Sequence, residues 1–387
     1  MTLNFEFSDD QIKLKEKAAK FVKDEVIPAI DKYDKNEEFP WELAEKAFDL
    51  GLMNVRIPKD YGGKGLGLLD EIIIIEEICA GCVGLGTSLN VNSLGFEPII
   101  LAGNDDQKNK YLKPLTEKLS FISFGLSETC CGSDAAGIQC KAEKKGDKYV
   151  LNGTKFWITN AWIADNFVVF ARTGEINRKK KRHLSAFIIE KDWEGVKVAD
   201  PMKKLGLRTS PTSAILLKDV EVPIKNRLGD EGDGFKIAMD TFATSRPAIG
   251  AFGVGVARAA LRNSLEYANK RNAFTVPLKK FQLIQQLIAR MILGIESAKL
   301  LTYKAAKAID NGKPDMILSS CSKIAGSEIA TKAAKDAIQI WGGRGFLSNN
   351  PVEKLYRDAK VLEIYEGTTQ IQEIIIGGQA LEGGYSP

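Results

Sequence analysis

The side chains best suited to nucleophilic or metal chemistry are few in this sequence, and their spacing excludes several mechanisms. His183 is the single histidine, and it stands in the basic run Arg178-Lys179-Lys180-Lys181-Arg182-His183. A Ser-His-Asp mechanism would depend on that one residue, in a poor setting for a general base. Cys79-x-x-Cys82 has metal-ligand spacing, but no second cysteine pair or histidine cluster completes four ligands. The pair reads as two small thiols on one packed helix. Cys130, Cys131, Cys140 and Cys321 complete the six cysteines, with no regular disulfide framework. No Walker A sequence occurs, and no G-x-G-x-x-G links a clear strand to a helix. The glycines of 250–255 run straight into Val256 and look like close helix packing. Any redox cofactor must be bound without the usual dinucleotide fingerprint.

The elements that would position such residues fall into three segments. The first reads as helices. Ser8-Asp9-Asp10-Gln11 fits a capping box, Leu14, Ala18, Phe21, Val22 and Val26 repeat at helical spacing, and Pro28 is expected to disturb the last turn. A second helix starts at Pro40-Trp41 and stops at Gly51, Tyr61-Gly62-Gly63-Lys64-Gly65 is a loop, and helical stretches follow near 69–80 and 106–112. The middle segment is strand-like at 121–124, 148–151, 155–159, 167–171, 186–189, 196–198 and 214–217. Asn152-Gly153 is a hairpin signal there, since both residues tolerate positive φ. From about Asp233 three long amphipathic runs, 235–267, 281–309 and 316–340, have the pattern of an antiparallel bundle. The expected architecture is α+β: an N-terminal helical domain over 1–120, a middle β-barrel or sandwich domain over 121–230, and a C-terminal helical bundle domain over 231–387.

Composition narrows the class. The 387 residues are 44% hydrophobic and 27% charged, an ordinary globular profile that needs no disulfide support. Lys plus Arg is 54 and Asp plus Glu 50, a net charge of +4 that makes no electrostatic case for nucleic acid. The basic run reads either as a solvated loop or as a contact to ligand phosphates. The start of the chain does not resemble a secretion signal, and no apolar stretch approaches the ~20 residues that span a bilayer. No membrane association is expected, and the location expected is a reducing cytoplasm.

Three distant stretches carry a family resemblance. Gly125-Leu126-Ser127-Glu128-Thr129-Cys130-Cys131-Gly132-Ser133-Asp134 resembles the first characteristic motif of acyl-CoA dehydrogenases. Gln339-Ile340-Trp341-Gly342-Gly343-Arg344-Gly345-Phe346, continuing through Lys354 and Asp358, resembles the second. Tyr365-Glu366-Gly367-Thr368-Thr369-Gln370 is similar to the loop that carries the catalytic base. Order and spacing also fit, from about Phe5 to Ile376, and features around Asn92, Ala102 and Arg246 look close to the medium- and short-chain branch. The resemblance implies a C-terminal four-helix bundle and bound FAD. It also implies acyl-CoA as substrate, an electron-transferring flavoprotein as acceptor, and a homo-oligomer, usually a homotetramer.

The chemistry can be read beside that resemblance. A carbon acid next to a thioester needs a base at the α-carbon and an acceptor for the β-hydride; a flavin supplies the acceptor at N5 and the protein supplies binding and electrostatics. Glu366 is the implied base, its pKa raised by desolvation; the alternative is a structural carboxylate. Some family members carry the base on the first helix of the C-terminal domain, where this chain has Ser245, which cannot do that work. By resemblance Phe124, Leu126, Ser127, Gly132 and Ser133 line the flavin, while Trp157, Ile158 and Thr159 cover the ring and offer a hydroxyl to the N5 region. Trp157 reads otherwise as a hairpin core residue. Arg271, Gln339, Gly342 and Gly343 match positions that bind the adenine half of FAD from a neighbouring subunit. Phe274, Gln282, Thr368 and Gln370 join the cofactor set. Arg246 is expected near the CoA portion, and Ser133, Tyr365 and Gly367 beside the substrate.

Departures from the family pattern bear on function. Thr129, Cys130 and Cys131 stand where Pro, a small residue and Ala are usual, and vicinal thiols near a flavin suggest sensitivity to oxidation. Ala243 replaces a common Asp before the arginine, and Ala273 and Thr275 alter the usual Arg-x-Thr-Phe-Gly run. Asn90 replaces the Glu of the medium-chain branch. With Gly86 and Thr87 it is expected to leave room for a short, branched or cyclic acyl group. The readings that compete with dehydrogenation are an enoyl-CoA reductase, a cyclic acyl-CoA dehydrogenase acting at other carbons, and a non-catalytic flavin- or acyl-CoA-binding subunit.

Overall fold

The computed structural model describes residues 6–177 and 179–384. Arg178 of the basic run and residues 1–5 at the N-terminal start lie outside the described residues. Helix α1 (Asp9–Phe21) opens with the expected capping box, in which Ser8 and Gln11 exchange side-chain and backbone bonds. The expected disturbance before Pro28 is one wider turn, Val22–Val26, which carries α1 into α2 (Ile27–Asn36) with Pro28 in the first turn of α2. Helix α3 (Trp41–Asp49) ends against Gly51, which takes φ 65°. Two helices separated by Cys82 follow, α4 (Leu68–Gly81) and α5 (Val83–Ala102), then the short α6 (Asp105–Tyr111) and α7 (Pro114–Glu117).

The strand-rich middle forms one hydrogen-bonded sheet from β1 (Ile122–Gly125), β2 (Lys141–Lys145), β3 (Lys148–Thr159), β4 (Asn166–Arg172), β5 (Leu184–Glu190), β6 (Val196–Val198), β7 (Thr212–Pro223) and β8 (Arg227–Leu228). The order is β6-β7-β3-β2-β4-β5-β8, with β1 alongside β4. Asn152-Gly153 is not a turn. It is an irregularity inside β3, where the register with β7 shifts between Leu151 and Gly153, and Asn152 is bonded to Asp219 across the sheet. The hairpin turns instead at Gly146-Asp147, joining β2 to β3, with Gly146 at φ 62°. Both dipeptides carry turn chemistry, and β7 decides between them by pairing with the whole of β3.

The C-terminal helices are α8 (Gly234–Lys270), α9 (Gln282–Asp310), α10 (Met316–Trp341), α11 (Pro351–Ala359) and α12 (Thr369–Gln379). A two-stranded ribbon, β9 (Asn272–Ala273) and β10 (Val276–Pro277), joins α8 to α9. Glycines bring α8 and α10 together: a Cβ on Gly253 would lie 2.0 Å from the Gly326 carbonyl oxygen. Buried charge fixes α4 on α8, with Arg258 Nη1 donating to Glu76 and Glu77 at 2.7 and 2.8 Å. Three regions of the chain meet at α11. Arg357 donates to Asp34 of α2 at 2.8 Å, Lys354 pairs with Asp358, and Asp358 accepts the Leu207 backbone N–H at 2.7 Å.

Candidate functional site

The loop after β1 is held by buried charge. Lys155, wholly buried in β3, donates to the Leu126 carbonyl at 3.0 Å and to Glu128 at 2.8 Å. Glu128 also accepts the backbone N–H groups of Gln139 and Cys140 at 2.7 and 2.9 Å. Burial pushes the Glu128 carboxyl up, but Lys155 and these donors outweigh it and hold it below its ordinary value. The Phe156 N–H bonds the Ser127 carbonyl at 2.9 Å, which ties β3 to the loop.

Beyond Phe156 the strand bulges, and Trp157 adopts φ 59°, uncommon for a bulky residue. The indole is turned out of the sheet and is 53% exposed. It is therefore not a hairpin core residue. Thr159 follows it, while Ile158 points into the core and Asn160 donates to the Ser88 carbonyl of α5 at 2.7 Å.

Glu366 also has a left-handed backbone, φ 58°, followed by Gly367 at φ 87°. The loop is pinned from α12: Gln372 donates to the Glu366 and Gly367 carbonyls at 3.0 and 3.1 Å. A Cβ on Gly367 would meet Gln372 Nε2 at 2.4 Å, which leaves glycine the fitting residue. Thr368 caps α12 by accepting the Ile371 N–H. Non-glycine residues held at such angles cluster at functional sites, where the surrounding structure over-determines them.

The Glu366 side chain accepts a hydrogen bond from Ser245 Oγ at 2.9 Å. Burial raises its pKa; the Ser245 bond and the charges of Arg246 and Lys323 pull it back in part. Arg246 is 3% exposed, and its Nε and Nη1 have no protein partner. Burial lowers its pKa against the pull of Glu366. Lys323 on α10 is wholly buried and its Nζ is also unpartnered; burial brings it down to about 8, opposed by Glu366 and Glu363. Ser245 was legible only as a non-base, and its hydrogen-bonding role was missed. Lys323 was missed too, although a lone lysine amid the apolar face of α10 was a signal.

Glu366 and Arg246 line one cavity of about 960 Å³. Leu126, Ser127, Gly132 and Ser133 come from the loop after β1, Trp157 and Thr159 from β3, Phe242 and Arg246 from α8, and Tyr365, Glu366, Gly367 and Thr368 from the loop before α12. Lys181 of the basic run also lines it, with Nζ 4.7 Å from the centre of the Phe235 ring. His183 is buried instead, its Nε2 2.8 Å from the Ala136 carbonyl. A smaller chamber of about 130 Å³ shares Trp157, Tyr365 and Glu366 and reaches Thr87, Asn90, Phe124, Ile158 and Ser245.

The remaining candidates stand apart. Arg271, Phe274, Gln282, Gln339, Gly342 and Gly343 are all exposed and line neither chamber, and Gln370 is exposed as well. Cβ atoms on Gly342 and Gly343 would meet nothing within 4 Å. Among the described residues no cluster of His, Cys, Asp and Glu could hold a metal ion, and no helix is long and apolar enough to cross a membrane.

Comparison with known proteins agrees along the whole length. Family models describing the acyl-CoA dehydrogenase N-terminal, middle and C-terminal domains match residues 8–118, 123–220 and 232–381. The chain is 40% identical over 381 residues to a probable acyl-CoA dehydrogenase of Bacillus subtilis, covering 98% of this chain and 100% of that one. It is 41% identical over 369 residues to the short-chain specific mitochondrial acyl-CoA dehydrogenase of Rattus norvegicus, covering 95% and 89%. The structure of butyryl-CoA dehydrogenase from Megasphaera elsdenii superposes with a TM-score of 0.94 at 37% identity, covering 98% and 100%. The chain belongs to the acyl-CoA dehydrogenase family of FAD-dependent oxidoreductases.

Proposed function

We propose that the cavity binds FAD with an acyl-CoA thioester, and that Glu366 removes the α-proton to give a 2,3-enoyl-CoA. The observation that carries this reading is the Glu366 carboxyl at the junction of the two chambers, bonded by Ser245 and beside two unpartnered cations. The residues present suit the cofactor. Trp157 offers an open aromatic face, Gly132 leaves room for close approach, and Thr159 lines the cavity. Bound FAD would supply the hydride acceptor for the β-carbon.

The chain's own groups handle the proton and the charge. A base works best with a pKa near the operating pH, and burial moves Glu366 in that direction. Closure of the cavity around the thioester excludes water and strengthens every charge interaction inside. The buried Arg246 guanidinium, with free donors, is placed for an anionic or carbonyl part of the CoA ester.

The acyl group is read from the smaller chamber. At about 130 Å³ it lies well below the roughly 300–1,000 Å³ of ordinary ligand pockets. A short, branched or cyclic acyl chain fits that size, and the butyryl-CoA and short-chain relatives agree with it. An electron-transferring flavoprotein is the proposed acceptor; one structural neighbour, with a TM-score of 0.94 and 38% identity, comes from work on the electron transferring flavoprotein of Acidaminococcus fermentans. A homotetramer is proposed because seven cofactor-type residues are exposed and away from the cavity, and Phe346, Leu283 and Leu293 are exposed as well.

Anaerobic titration of the yellow holoprotein with saturated acyl-CoAs tests the reading. Short or compact chains are expected to bleach the flavin band and long linear chains to leave it. Bleaching by long linear chains alone would refute the acyl-group assignment. Return of the yellow colour when an enoyl-CoA is added to the chemically reduced holoprotein, with no saturated acyl-CoA bleaching the oxidised form, would favour the reductive direction.

A further inference from the structure

The pair Cys130-Cys131 belongs to no part of the proposed reaction, and a tight turn holds its two sulfur atoms together. Glu128, Thr129, Cys130 and Cys131 form a tight turn, closed by Glu128 N–H to the Cys131 carbonyl at 3.0 Å and Cys131 N–H to the Glu128 carbonyl at 3.1 Å. Inside that turn the two Sγ atoms are 3.3 Å apart. Cys130 is exposed, while Cys131 is buried and directs its Sγ to the Gly137 carbonyl at 2.9 Å. Of the other cysteines, Cys79, Cys82 and Cys140 are buried and Cys321 is half-buried on α10.

We propose that Cys130 and Cys131 form a modification site for two-electron oxidants of the hydroperoxide class, closing to a reversible disulfide that distorts the adjoining cavity wall. The exposed Cys130 sulfur attacks the peroxide, its S–H proton leaves with the departing oxygen as water, and a sulfenic acid remains. Cys131 Sγ then attacks that sulfur, the S–O bond breaks, and a second water leaves. Two thiols and one hydrogen peroxide give one disulfide and two waters, with the thiols oxidised and the peroxide reduced.

Geometry makes the bond labile and couples it to the cavity. Disulfides favour Cα separations of about 4.4–6.8 Å, whereas consecutive Cα atoms are about 3.8 Å apart, so closure strains the turn and eases reduction. The upstream end cannot yield, because Glu128 is fixed by Lys155, Gln139 and Cys140. The downstream end can: Gly132 and Ser133 are exposed, line the cavity, and a Cβ on Gly132 would meet nothing. The strain therefore passes into the wall of the proposed cofactor and substrate site. Only this last consequence rests on the proposed function.

The test treats the holoenzyme with a small excess of hydrogen peroxide, quenches with catalase, and reads intact mass and thiol count before any assay. The expected product is lighter by two hydrogen atoms, has lost two thiols, maps to the peptide holding Cys130 and Cys131, and reverts with dithiothreitol. C130A and C131A variants, whose side chains fit the small-residue pattern of the motif, should each prevent it while keeping basal turnover. The oxidised enzyme should need at least tenfold more acyl-CoA to bleach its flavin, and reduction should restore the original titration. Addition of oxygen atoms at Cys130, loss of thiols elsewhere, or an unchanged titration in the disulfide form would each overturn the proposal. A protein without flavin that still closes the disulfide would refute the proposed function and leave the thiol chemistry standing.

Discussion

At the scale of single residues, the account turns on what surrounds the Glu366 carboxyl. As the proposed base, Glu366 must be ionised to accept a proton, so its raised pKa is expected to place the acid limb of turnover above the ordinary carboxylate range. Ser245 and Lys323 both favour the ionised form. S245A is expected to move that limb to higher pH by about one to two units, since a hydrogen bond to a charged group is worth about 1.5–3 kcal/mol and one unit about 1.4. K323M should move it in the same direction, and a limb that stays fixed in both variants would refute these roles. The same shift has a consequence for stability. Glu366 has a higher pKa folded than unfolded, so between those values the folded state holds more protons, and stability falls as pH rises through the window. E366Q lacks that loss, and thermal melts should show it gaining on the native protein as pH increases.

At the scale of elements, two strained backbones present the site: the bulge in β3 that turns Trp157 out and the loop before α12 that holds Glu366. Gly367→Ala forces a side chain to φ 87° and into Gln372, and is expected to cut turnover at least tenfold and lower the melting temperature. Unchanged activity and melting would argue against a positioned loop. How much of this was legible in sequence differs from element to element. The long helices α8, α9 and α10 were legible because each keeps an apolar face over many turns. Helix α5 was not: it holds Gly84, Gly86, Gly95 and Pro98, and Gly86 fits because a Cβ there would lie 2.4 Å from Cys79 Sγ. Asn152-Gly153 misled because turn propensity is local, whereas β7 pairs with β3 on both sides of it. The motif stretches revealed the site's residue types, but the Ser245–Glu366 bond joins residues 121 positions apart and needed the fold to appear.

At the scale of the molecule, the three parts of the chain are tied together at α11 and leave a cavity to which the loop after β1, β3, α8 and the loop before α12 each contribute. Arg271, Gln339, Gly342 and Gly343 face outward, which predicts that a complete site needs two chains. An R271A variant should lose FAD affinity, and co-refolding it with E366Q should regenerate about a quarter of the sites, because half the pairs are mixed and each holds one intact site. No regained turnover would place each site within a single chain. The role of Glu366 as the base is decided by the E366Q holoenzyme, with flavin content and single-turnover bleaching measured together. The account predicts a full complement of FAD and a bleaching rate with a short acyl-CoA lowered about 10²- to 10⁴-fold. Full flavin with an unchanged rate would contradict it.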